Sequence, residues 1–253
     1  MPWTALTLSI GMAIAAGVVG CFAVMRRMSL ASDAMSHVAL PGIGLALLFH
    51  VHPVVGGLAA LLVGTVLVWG LERRTGISTE TVVGVVFSLA LAVGSLLATG
   101  EELVDALLGA PGRLGRWELA LGLAGAAAVV AFVLAQRGRL VIALISNDIA
   151  RTSGIRVERL ELLYLLAFAV TVALGLRYLG VLLMGSLVII PAATAKHLAR
   201  SLDGMLAISV AISVCSTVAG EILASRLRLA TGPVIIAIAA GLFLASLFLR
   251  RRR

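Results

Sequence analysis

The sequence predicts an all-α fold, a bundle of eight or nine helices that cross a lipid bilayer. Three observations carry this. Of the 253 residues, 61% are hydrophobic and only 13% charged, far from the make-up of a soluble domain. The apolar residues fall into runs of about 20, the length needed to cross roughly 30 Å of hydrocarbon, and most runs are apolar all round rather than on one face. The 20 Lys and Arg residues gather where these runs end.

In chain order the expected spans are residues 4–25, closed by Arg26 and Arg27; 28–49; 53–71, closed by Glu72, Arg73 and Arg74; and 80–98. Then come 119–135, the short 162–176, 179–195, 205–225 and 233–249, the last closed by four Arg. If one short pair is re-entrant the count falls from nine to eight. The whole chain, 1–253, forms one transmembrane unit with no soluble domain. Placing the N-terminus outside leaves only Arg113, Arg116, Arg177, Arg226 and Arg228 in outer loops, and the other 15 of the 20 basic residues inside. Cytoplasmic loops hold the excess of Lys and Arg, so the expectation is N-out, C-in.

The net charge of +8 therefore belongs to headgroup contact and topology. No basic patch is interleaved with aromatics, which excludes a nucleic-acid reading. Cys21 and Cys215 lie in apolar runs without metal or redox spacing and read as small core residues. Val18-Val19-Gly20-Cys21 resembles a lipoprotein cleavage site, but the start lacks a basic region and the apolar run continues past the Cys. An uncleaved first span is expected.

The second span breaks the apolar pattern with "RRMSLASDAMSHVALPG", residues 26–42. Asp33 and His37 are four residues apart and so share one helix face, close enough to grip one ion. Ser29 and Ser36 are expected to extend the polar stripe. Pro41 has no N–H, which frees the carbonyl of His37 from its helical partner. An ionisable group at membrane depth costs about 2.5–3.5 kcal/mol even on an insertion scale, which marks a functional site. Carboxylate with imidazole suits Zn, Mn or Fe(II) as a foothold, not as a closed structural site. A structural Asp–His hydrogen bond between helices is the other reading.

The connection 136–161 carries "SNDIARTSGIRVERL". Ser146 or Asn147 can cap a short helix, Asp148 suits its positive N-terminus, and Gly154 can end it in the left-handed conformation. It reads either as a solvated loop helix or as a knob for a cytosolic partner. Elsewhere the signals are weaker. His50 and His52 sit at the outer end of the second span, open to an entrance role or to ordinary interfacial placement. Glu101, Glu102 and Asp105 form an acidic outer loop, and Glu221 is expected to pair with Arg226. Lys196 and His197 read as interface anchors, and Pro191 as a kink like Pro41. Small residues at helical spacing, Gly11/Ala15 and Gly42/Ala46, let helix backbones approach closely.

In this order and spacing "RRMSLASDAMSHVALPGIGLALL", "SNDIARTSGIRVERLELLYLLAFAVTVALG", "YLGVLLMGSLVIIPAATAKHLAR" and "ATGP" resemble the permease subunits of bacterial ABC importers for zinc, manganese and iron(II). The resemblance covers nearly the whole chain. It implies a type II importer permease in the bacterial cytoplasmic membrane, paired with a second copy or a close homologue. It also implies an extracytoplasmic metal-binding protein as donor and cytosolic ATP-binding subunits as motor. Asp33 and His37 would match the family's intramembrane acid and histidine, and Asp148, Ala150 and Gly154 its coupling segment. No permanently bound cofactor is expected, only the transported metal. No Walker-type loop is present, so ATP hydrolysis is expected in a partner. Two rivals stand beside this reading. An intramembrane metalloenzyme needs a third ligand and a general base, and a gradient-driven secondary transporter usually shows repeated halves.

Overall fold

The computed structural model describes residues 3–97, 115–179 and 181–250, all helix and short connections with no strand among them. Helices α1 (Trp3–Met25), α2 (Ser29–Leu48), α3 (Pro53–Thr75) and α4 (Thr79–Leu97) form the first half. Helices α5 (Arg116–Ile145), α6 (Asn147–Thr152), α7 (Val157–Leu179), α8 (Val181–Leu198), α9 (Leu202–Leu227) and α10 (Thr231–Arg250) complete the chain. Eight are long and apolar enough to cross a membrane. The 18-residue α8, at the place of the expected 179–195 span, is not among these eight and packs between them against α1, α2, α9 and α10. The acidic residues Glu101, Glu102 and Asp105 lie outside the described residues.

Two boundaries differ from expectation. The fifth helix runs on from the expected stop at 135 to Ile145, for 30 residues, because Leu140 and Ala143 find apolar neighbours beyond the charged Gln136–Arg139 turn. The seventh starts at Val157 rather than 162, since Val157 and Leu160 are also buried. Burial ranks the helices: 72% of the α1 span is enclosed, against 22% for α5 and 17% for α10. Helix α1 is thus the hub, and α5 and α10 are peripheral.

Backbone proximity explains the small residues. A Cβ on Gly20 would overlap the carbonyl oxygen of Val188 in α8, so Gly is what lets α1 and α8 touch. Gly42 and Ala46 of α2 interlock with Gly56 and Ala60 of α3: a Cβ on Gly42 would sit 2.5 Å from Ala60 Cβ, and one on Gly56 2.6 Å from Ala46 Cβ. This is a small-xxx-small seam within one chain. Hydroxyls tie the hub as well. Tyr164 of α7, fully buried, donates to the Val19 carbonyl (3.1 Å), and Ser209 of α9 to the Gly17 carbonyl (2.9 Å). Cys21 is a buried core residue inside α1, its thiol aimed at the Met205 carbonyl at 3.6 Å, whereas Cys215, expected in the core as well, is exposed on the outside of α9.

Candidate functional site

Helix α2 continues through Pro41 without breaking, which keeps Asp33 and His37 on one regular helix face, one turn apart. Their depth follows from packing. Gly64 is the central residue of α3, and a Cβ on it would lie 2.6 Å from Val38 Cγ1. Val38 is therefore level with the middle of a helix long enough to span a membrane, and its neighbour His37 lies at the mid-depth of the bundle.

Asp33 is exposed on the single chain, while His37 is half-buried. Behind Asp33 runs the backbone of α8: a Cβ on Gly185 would be 3.0 Å from both Asp33 Cα and Oδ1. The imidazole is steadied by Phe87 of α4, edge to face at 5.5 Å between ring centres. His37 Nδ1 is buried and has no hydrogen-bond partner among the described residues. A buried polar atom left in that state costs about 1–3 kcal/mol. No hydrogen bond joins His37 to Asp33, so the geometry gives no support to a structural Asp–His pair. Among the described residues no three His, Cys, Asp or Glu side chains converge to hold a metal.

Ser36 does not share the stripe. It is fully buried, its hydroxyl donating to the Ser32 carbonyl at 2.9 Å, on the edge of the face that packs into the bundle. The side chain of Ser29 lies outside the description. His50 and His52 are exposed past the far end of α2, and α2 itself ends roughly 17 Å beyond His37. They belong to the rim and not to the Asp33–His37 site. Pro191 lies inside α8, which like α2 stays helical around it; Lys196 is exposed at the end of that helix.

The arginine-rich ends converge on one face. Ser146 caps α6, accepting from Ile149 N at 3.3 Å, and Asp148 lies in its first turn. Gly154 follows with φ of 76°, the left-handed turn expected of it. Ala150 is fully buried and anchors α6 inward, whereas Ile149, 55% exposed, points away. Arg151 of α6 pairs with Glu158 of α7 (3.1 Å), which also meets Arg73 of α3 (3.6 Å). One turn on, Glu161 meets Arg26 (3.5 Å), whose guanidinium lies 5.0 Å over the Tyr164 ring, just before α2 begins. Exposed pairs contribute only about 0–1 kcal/mol each. Their value here is geometric, since they link α6 through α7 to the foot of α2. Sequence spacing could not reveal these cross-helix partners.

The expected Glu221–Arg226 pair is not formed. Glu221 is buried at 7% exposure beside the α9–α10 contact at Gly220, and Arg226, five residues on, is turned to the outside.

The comparisons with known proteins follow the same lines. The high-affinity zinc uptake system membrane protein ZnuB of Haemophilus influenzae is 30% identical over 254 residues, covering 98% of this chain and 97% of its own. The manganese import system permease protein ScaB of Streptococcus parasanguinis is 27% identical, covering 97% of this chain and 89% of its own. The solved structure of PsaBC from Streptococcus pneumoniae in complex with Fab superposes with a TM-score of 0.83 at 27% identity, over 96% of this chain and 90% of that one. A model of the ABC 3 transport family matches residues 2–250, so a bundle with an acid and an imidazole at its mid-depth belongs to that family of membrane transport proteins.

Proposed function

We infer that this chain is the permease subunit of an ATP-driven importer, in the bacterial inner membrane, that carries a divalent transition metal ion such as Zn, Mn or Fe(II) into the cytoplasm. The observation that carries the site assignment is the unpartnered His37 Nδ1 one helical turn from an exposed carboxylate at the mid-depth of the bundle. The zinc and manganese cargo of the similar permeases supports the choice of substrate.

The chemistry follows from the geometry. Asp33 offsets part of the charge of the arriving ion, and neutral His37 supplies a directional nitrogen. Phe87 holds the ring, and the His37 carbonyl, released by Pro41, is a further oxygen donor. Asp33 faces out of the single chain, so a second permease copy would bring a second pair to the same path. An incomplete ligand set binds firmly enough to admit an ion and weakly enough to release it. An extracytoplasmic metal-binding protein delivers the ion at the rim, where His50 and His52 are exposed. On the arginine-rich, cytoplasmic face, residues 148–154 within the 136–161 coupling segment dock on ATP-binding subunits. Motion of α6 then reaches α2 through Arg151–Glu158–Arg73 and Glu161–Arg26.

Reconstitution tests the function as a whole. Vesicles holding the permease with its ATP-binding subunits and binding protein should accumulate metal only when ATP is hydrolysed. Accumulation by the permease alone, driven by an ion gradient, would replace this reading with a secondary transporter. Coupling has its own test. A Cβ on Gly154 meets nothing within 4 Å, so Gly154→Val acts on the backbone alone, at about 1–2 kcal/mol for the left-handed turn. The variant should fold and insert, yet lose ATPase association or hydrolyse ATP without uptake. Wild-type uptake and assembly would leave α6 as a plain loop helix.

A further inference from the structure

At the arginine-rich end, between α5 and the start of α7, lies a cavity of about 290 Å³ lined by Arg139, Arg156 and Arg159 together with Ser153, Leu160 and Leu163. It is apart from the Asp33–His37 site and borders the coupling segment, sharing Ser153 and Gly154 at its end. None of the three guanidinium groups has a carboxylate within ion-pairing distance among the described residues. Arg139 donates instead to the side-chain oxygen of Gln136 at 3.0 Å, within its own helix. Three arginines line one hollow, and none of the residues that line it is acidic.

The level of the hollow identifies the anion. Leu160 and Leu163 flank Glu161, which pairs with Arg26 at the inner end of α1, so the cavity sits where the apolar bundle gives way to water. Its membrane-side wall is apolar, with Leu163 49% exposed, while the opposite wall carries the hydroxyl of Ser153. The nearby amides of Gly154 and Ile155 are already spent on the Arg151 and Ala150 carbonyls, each at 3.0 Å. Recognition therefore falls to the guanidinium groups, which suit phosphate oxygens. We propose that this cavity binds the headgroup of an anionic phospholipid of the inner leaflet, its phosphate held by Arg139, Arg156 and Arg159 and its acyl chains lying along the exposed Leu163. A carboxylate loop of a soluble partner would satisfy the arginines but leave Leu163 uncovered; a lipid satisfies both. Basic pockets between spanning helices on the cytoplasmic side take lipid headgroups for this reason.

The test uses the permease–ATPase complex exchanged into equal parts phosphatidylglycerol and phosphatidylcholine, with retained lipid read by native mass spectrometry. The wild type should keep phosphatidylglycerol in preference. A basic group near the surface contributes about fivefold, so each single Arg→Gln change should lower that preference about fivefold and the triple change about a hundredfold. Leu163→Asn should weaken lipid retention without altering binding of inorganic phosphate. An unchanged lipid preference in the triple variant overturns the proposal. So does displacement of the lipid by millimolar phosphate, which marks a free-phosphate site. Loss of the ATPase subunits from the triple variant in pure phosphatidylcholine overturns it too, by showing that the arginines are a protein contact.

Discussion

Asp33→Asn and His37→Leu are both expected to fold, reach the membrane and assemble with the ATP-binding subunits, yet to abolish metal uptake. The first keeps the shape of the side chain and removes its charge; the second removes the nitrogen at similar bulk. Loss of a mere outer-shell partner lowers metal affinity about 10- to 100-fold, so loss of a direct ligand should reduce uptake by at least that much. Stability should change little. Among the described residues Asp33, which is exposed, makes no hydrogen bond that Asn would forfeit, and His37→Leu removes a buried nitrogen without a partner among them. Metal accumulation in reconstituted vesicles, beside the amount of purified complex, separates the two effects. Full transport by both variants would move the path elsewhere in the bundle.

Gly20→Val should be the most damaging single change to the fold. The added Cβ would collide with the Val188 carbonyl oxygen and lie 2.9 Å from its carbon and 3.2 Å from Ala192 Cβ. These neighbours are largely backbone, so no rotamer change relieves the overlap and α8 must move away from α1. Overpacking against side chains typically costs about 1–3 kcal/mol, and a backbone collision should exceed that. The apparent unfolding temperature in detergent should fall by about 10 °C or more. Gly70→Val is the control: a Cβ there meets nothing within 4 Å and should leave the temperature near that of wild type. Equal shifts in both variants would show that valine in a helix, and not the α1–α8 contact, is responsible.

The spans, the Asp33–His37 pair and the cap of α6 were legible because each is a local pattern. Run length reports a crossing, a spacing of four reports a shared face, and Ser146 with Gly154 brackets a short helix by its backbone needs alone. What escaped depends on neighbours distant in sequence. Ser36 looked like part of the polar stripe until the packing of α2 turned it inward. Glu221 looked like an interfacial partner for Arg226 until the α9–α10 contact buried it. The role of Gly185 as the floor beneath Asp33, and of Phe87 beside His37, follows from helix pairing that no single run encodes. The extension of α5 past Arg139 was hidden because a charged turn ends a hydropathy window without ending a helix.

That extension has a consequence for the docking face. At its other end α5 begins with Trp117, 77% exposed, an aromatic suited to the membrane–water boundary. Thirty residues give about 45 Å of helix against roughly 30 Å of hydrocarbon, leaving up to about 15 Å to stand clear on the arginine-rich side. Helix α6 is carried at the tip of this stalk. The negative surface potential of an anionic leaflet decays over a Debye length of about 8 Å at physiological salt. A motor subunit meeting α6 would thus engage toward the edge of the leaflet's charge, beside the Ser153–Arg156 side of the arginine-lined hollow, while Arg159, farther along α7, lies nearer the headgroups.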